Sequence, residues 1–181
     1  MKHNLLLSPL FRYRPTAAEE LFKKIMLDFL STSEHVFERS HSCGHITASC
    51  LLLNKERTHG LMMHHKKLDQ WFQLGGHCDG DSDTLAVAIK EAQEESGIHS
   101  IIPLSPDIFA IDIHWIPSNP KESGHYHSDV RYLLGVNSDE NIIQNSESKE
   151  LRWISMTSNP PTDNPSVLRL FDKCRHYLGI P

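Results

Sequence analysis

The stretch Lys90-Glu91-Ala92-Gln93-Glu94-Glu95-Ser96-Gly97-Ile98, with Gly75-Gly76 upstream, constrains this chain more than any other feature. A helix turns about 100° per residue, which puts Glu91, Glu94 and Glu95 on one face. Leu85, Ala88, Ile89 and Ala92 form a neighbouring apolar face that can pack on a core. Gly97 stands where a helix terminator must reach positive φ. Three carboxylates therefore crowd the last turns, where the macrodipole prefers cations and like charges one turn apart repel. A sequence that accepts both penalties points to a bound divalent cation. An isolated Glu-Glu pair is usually a solvated helix face, but the paired glycines and the terminator at fixed spacing argue otherwise here.

The chain of 181 residues, 39% of them hydrophobic, suits one globular domain. We expect a single unit over residues 1–181, with a helical N-terminal extension over about 1–40. A net charge of −5 with dispersed Lys and Arg argues against an extended nucleic-acid surface, although a small phosphate compound stays compatible. Cys43, Cys50, Cys78 and Cys174 are irregularly spaced, so no disulfide framework is indicated. The Leu5-Leu6-Leu7 run is interrupted by Pro9, Arg12 and Arg14, and no stretch has membrane-spanning length. A reducing, cytoplasmic setting without membrane insertion is the expectation. Composition leaves the oligomeric state open, a homodimer included.

Periodicity predicts a helix from about Thr16 to Leu30, with Ala18, Leu21, Phe22, Ile25 and Phe29 on one side. Strands are expected over Ile46–Leu53, Leu61–His65, Ile108–Ile116, His125–Val136 and Leu151–Ser155, with a last helix over Ser166–Leu178. Asp81, Ser82 or Asp83 can cap the glutamate helix. Helices around several strands favour a layered α/β domain.

The residues from Gly76 to Ile98 resemble the signature of the Nudix hydrolase superfamily. That signature is Gly, five residues, Glu, seven residues, then Arg-Glu-hydrophobic-x-Glu-Glu-x-Gly-hydrophobic. Gly76 takes its first position, Glu91, Glu94 and Glu95 its glutamates, and Gly97-Ile98 its end, without insertion. Ser82 replaces the early Glu and Lys90 the Arg; Asp81 or Asp83 is expected to pair with Lys90 instead. The resemblance implies an α/β/α sandwich with a mixed central sheet. It also implies hydrolysis of a diphosphate linkage with Mg²⁺ or Mn²⁺, held by Glu91, Glu94, Glu95 and the Gly76 carbonyl. Hard oxygen ligands suit those ions. A general base is expected from these carboxylates or from Glu147 or Glu150, although such loop acids are more often simply solvated.

Strand alternation puts Asp112 and His114 on one face, and His125, His127, Asp129 and Arg131 on one face of a probable partner strand. If register joins them, imidazoles and carboxylates converge beside the glutamate helix, where they can orient substrate, hold a second metal or protonate a leaving group. Cross-strand His/Asp pairs on a half-exposed polar sheet face are, however, more often only structural. His77 and Asp79 follow Gly76 closely enough to line the rim, although Asp79-Gly80 is also ordinary turn chemistry. Of Trp71 and Phe72, one is expected in the core and the other against a base. A zinc site from Cys43, His45, Cys50 and Cys78 is poorly spaced, and buried thiols are the better reading. Two other function classes share the implied fold. One is an isomerase of the isopentenyl diphosphate kind, using His and Glu metal ligands with an acidic or thiol proton donor; the other is a non-catalytic nucleotide sensor.

Overall fold

A computed structural model describes residues 5–120, 122–138 and 141–181. Its spine is a pair of parallel strands, β1 (Gly44–Leu53) and β7 (His125–Val136), in register from Gly44↔Tyr126 to Leu53↔Gly135. Every residue of β1 is buried, as a central strand covered on both faces must be. Four more strands attach to the far edges of this pair. On β1, β4 (Leu74–His77) pairs antiparallel with Thr47–Cys50, and β2 (His59–His65) takes over at Leu52 and Leu53. On β7, β6 (Ala110–Ile116) pairs with His125–Arg131, and β5 (Ile101–Pro103) with Leu134–Val136. Beyond β2 lie β3 (Gln70–Phe72) and β8 (Ser148–Ser155).

Alternation along β1 separates two cores. Ile46, Ala48, Cys50 and Leu52 pack with Val87, Ala88 and Ala92 of α3 (Thr84–Ser96). The same cluster includes Leu10 of α1 (Leu7–Arg12) and Met26 and Leu30 of α2 (Glu20–Thr32). Leu51 and Leu53 point the other way, onto Val167, Leu170, Phe171 and Cys174 of α4 (Pro165–Leu178). The result is the expected α/β/α arrangement around a mixed sheet.

The N-terminal region departs from the expected stripe. Phe22 and Phe29 pack on the core as expected, but Leu21 and Ile25 are exposed and Met26 and Leu30 take their place. The rotation follows from Glu19, whose buried carboxylate accepts from the Thr16 N–H (2.8 Å) and from Lys173 Nζ (2.7 Å) on α4. The Leu-rich run forms α1 despite Pro9, which falls in the first turn, where no intrahelical N–H is required. β3, β4 and β5 are too short for a period to declare itself.

Candidate active site

Asp83 starts α3, its carboxylate accepting from the Ala86 N–H (3.0 Å), and Gly97 ends it in the left-handed region at φ 72°. Between these caps α3 crosses β4, and the paired glycines meet the glutamates there. The Gly75 N–H donates to Glu95 Oε2 at 2.8 Å. A Cβ on Gly76 would collide with the Glu91 carboxylate, so only glycine lets the backbone lie against that acid. Glu95 is 5% exposed, and its pKa is pushed up to about 8 by burial and by Glu91, Glu147 and Glu94, against the Gly75 hydrogen bond. Glu91 is raised as well, chiefly by burial. Glu94 is the outermost of the three, its side chain 58% exposed.

Burying acids that repel one another disfavours their ionised forms, and a cation reverses that preference. The site therefore fits a divalent ion held by oxygen: two inward carboxylates, one at the rim and a backbone that closes on them. Lys90 does not reach Asp81 or Asp83, contrary to the sequence expectation. It lies 3.6 Å from both Glu91 and Glu94, because on a helix its neighbours one turn on are nearer than the preceding loop. Asp81 and Asp83 serve the loop and the cap. Asp79 is held by a forked ion pair with Arg39 Nε and Nη2 (2.5 and 2.8 Å). Arg39 lies forty residues away in the chain, and nothing in the local sequence announces this partnership.

The histidine strands come together as alternation predicts. Register sets His114 opposite His127 and Asp112 opposite Asp129. Parallel pairing then brings His45 beside His127 and Thr47 beside Asp129. The His45 ring centroid lies 4.6 Å from that of His127, 5.0 Å from His125 and 5.1 Å from His77, and the His114 and His127 rings are 5.5 Å apart. One expectation is corrected. The histidines do not sit beside α3 but on the opposite face of β1 and β4, because His77 points away from its neighbour Gly76.

Burial, then the neighbouring imidazoles and Arg39, holds His45 down to about 4. Burial and the surrounding histidines hold His127 down to about 2, and His77 is lowered by burial and Arg39. The alternation of His45, Thr47 and Ser49 with apolar neighbours was the available signal for a polar half-face on β1.

Next along that face, Asp129 accepts from Thr47 Oγ1 (3.0 Å), Ser49 Oγ (2.7 Å) and Arg131 Nε (2.7 Å), so its carboxylate is engaged within the protein. Asp112 meets His114 Nδ1 (3.1 Å) and Arg169 Nη2 (2.8 Å), with Arg131 Nη2 at 3.5 Å. Burial opposes ionisation of Asp112, but the His114 hydrogen bond and the Arg131 charge outweigh it and leave the acid well below its usual range.

The two base candidates separate. Glu150 is tied to Arg152 at 2.6 Å, whereas Glu147 is exposed and close enough for its charge to act on Glu95. Trp71 stacks on His64 (5.0 Å, 14° between planes) beneath the Arg152 guanidinium, and Phe72 packs against the α4 core. Cys50 and Cys78 are buried among the α3-side residues, and burial raises both thiols strongly. Cys43 is exposed, and among the described residues the side chains grouped with His45 at ligand spacing are His77 and His127, not a cysteine.

The NUDIX domain profile matches residues 44–174, and the chain belongs to that family. It is a pyrophosphohydrolase of the Nudix type, acting on phosphoanhydride bonds. Solved structures with the same fold include a Nudix-family hydrolase from Clostridium perfringens, 25% identical with a TM-score of 0.55, covering 74% of this chain and 97% of that one. A C. elegans Ap4A hydrolase binary complex is 17% identical with a TM-score of 0.60, over 74% and 97% of the two chains. An ADP-ribose pyrophosphatase from Streptococcus suis is 18% identical with a TM-score of 0.53, over 74% and 90%. No curated protein matches in sequence. Among the described residues no helix is long and apolar enough to cross a membrane.

Proposed function

We propose that this chain, acting as one unit over residues 1–181, hydrolyses the diphosphate linkage of a nucleoside diphosphate derivative or a related small pyrophosphate compound. Its cofactor in this reading is Mg²⁺ or Mn²⁺, held by Glu91, Glu94, Glu95 and the backbone of Gly76. The carrying observation is the closure of β4 on α3, with Gly76 against the Glu91 carboxylate and the Gly75 N–H on Glu95. When bound, such an ion neutralises phosphate oxygens and acidifies a coordinated water.

The residues divide the remaining work. The Gly75 N–H fixes the orientation of Glu95 and leaves its second oxygen for the site. Glu147, free of the arginine that ties up Glu150, is the better placed acid to take a proton from the attacking water. His114 is half-exposed, with Nδ1 on Asp112, so Nε2 remains for a leaving group or substrate oxygen. His125 stands next to it, and Asp79 and Asp129 hold this part of the sheet through Arg39 and Arg131, while His77 and His127, turned away from α3, are assigned no substrate contact. The isomerase alternative needs a thiol or acid free to donate a proton beside the imidazoles, and Asp112 is already engaged by His114 and Arg169. Cys78 lies instead in the α3-side core, which favours the hydrolase.

The test is a product assay with dinucleoside polyphosphates, ADP-ribose, nucleotide sugars, NADH and nucleoside triphosphates, with Mg²⁺ or Mn²⁺ and with chelator. The Ap4A and ADP-ribose enzymes among the similar structures make the first two the natural starting points. We expect cleavage of at least one class that the chelator abolishes. Melting shifts with ligand but without turnover would indicate a sensor, and allylic product from isopentenyl diphosphate an isomerase.

A further inference from the structure

His45, His77 and His127 each offer one ring nitrogen, and these three atoms lie within 4.8 Å of one another. They come from three different strands, so the cluster is a product of the fold and not of a local turn. His45 is 1% exposed, yet neither of its ring nitrogens has a hydrogen-bond partner. A buried imidazole normally satisfies at least its N–H, and leaving both nitrogens unmade costs about 1–3 kcal/mol. Imidazole is neutral when it ligates, and a single ion accepts lone pairs from several rings at once.

The neighbouring ring fixes the tautomers around the cluster. His125 Nδ1 lies 2.8 Å from the Ser123 carbonyl, which can only accept, so Nδ1 carries the proton and Nε2 presents a lone pair. That lone pair faces His127 Nε2 at 3.2 Å. A neutral His127 donating its Nε2–H to this lone pair satisfies the contact and leaves the other His127 ring nitrogen as an acceptor.

We propose that His45, His77 and His127 form a transition-metal site of the zinc class (Zn²⁺, Co²⁺, Ni²⁺), separate from the carboxylate site on the other face of β4. Three imidazoles select borderline metals, whereas Mg²⁺ prefers oxygen. Metal–nitrogen bonds of 2.0–2.1 Å place tetrahedral ligands roughly 3.3 Å apart, so modest ring rotations close the cluster on an ion. His77 and His127 are half-exposed, which leaves a coordination position open toward solvent. The ion ties β4 to β1 and β7, bracing from behind the glycines that meet Glu91 and Glu95. The site stands on its own residues and does not depend on the hydrolase reading.

The experiment uses the full chain carrying Glu91→Gln and Glu94→Gln, which disables the carboxylate site, stripped with chelator and titrated with Co²⁺. One equivalent is expected, with visible d–d absorption, displacement by an equivalent of Zn²⁺, and imidazole scattering in the X-ray absorption spectrum. Adding His77→Gln or His127→Gln should weaken uptake about 100-fold or more, above the range for loss of an outer-shell partner. Absence of the d–d bands, uptake indifferent to both histidine changes, or an absorption spectrum with oxygen ligands alone would overturn the proposal. The absorption spectrum decides the matter even if a histidine variant does not fold.

Discussion

Glu95→Gln separates the cost of the buried carboxyl from its use. In the metal-free protein the Glu95 carboxyl is raised from 4.5 to about 8, first by burial and then by its acidic neighbours. A raised acid holds a proton in the folded state that the unfolded chain has released. Stability therefore falls as pH rises from the unfolded value toward the folded one. From pH 5 to pH 8 the folded form resists ionisation over most of the interval. At 1.36 kcal/mol per pH unit, the expected loss is on the order of 3 kcal/mol. Glutamine keeps an oxygen for the Gly75 N–H and carries no charge, so the variant should not show this loss. Urea unfolding in chelator at both pH values, for both proteins, isolates Glu95 and its coupling to the neighbouring acids as a double difference, since groups away from the site contribute equally. Metal-free wild type should weaken by about 3 kcal/mol more than the variant, and added Mg²⁺ should restore only the wild type. A double difference below about 0.5 kcal/mol would refute the placement of Glu95 as a buried, repelled acid.

Glu91→Gln and Glu94→Gln should each lower turnover by orders of magnitude, since a metal ligand contributes several kcal/mol of transition-state stabilisation, with circular dichroism unchanged. Gly76→Ala drives a methyl into the Glu91 carboxylate and should cost about 100-fold in turnover, the scale of a 1 Å misplacement, while the fold persists. Arg131→Met strands Asp112 and Asp129 without their shared buried cation, and should cost about 3–5 kcal/mol in urea unfolding. His45 and His127 are depressed, so the unfolded chain binds protons that the folded one refuses. Metal-free stability should fall as pH drops from 6.5 toward 4, and His45→Gln should flatten that slope.

How much of this was legible in the chain depended on how local each feature is. The glutamate helix and its Gly97 terminator follow from contacts within one turn, so spacing located them and narrowed the cap to three residues, of which Asp83 serves. The long strands β1 and β7 declared themselves by length, and alternation correctly paired Asp112 and His114 with Asp129 and His127. Sheet order was not legible, because the parallel pairing that brings His45 to His127 joins residues 82 positions apart. Arg39 on Asp79 is equally non-local. The Lys90 expectation failed because it borrowed a partner from the family pattern, while the helix offered Glu94 one turn away. The α2 stripe held at Phe22 and Phe29 and failed at Leu21 and Ile25, because periodicity ignores the buried anchor at Glu19.

The central claim is that Glu91, Glu94 and Glu95 hold a hard divalent cation, and calorimetric titration with Mg²⁺ tests it most directly. Magnesium suits oxygen and discriminates against the imidazole cluster. Wild type and His77→Gln should each take up Mg²⁺, and the Glu91→Gln, Glu94→Gln double variant should take up none. Failure of the wild type to bind Mg²⁺ with pyrophosphate present, or uptake that survives the double substitution, would contradict the account.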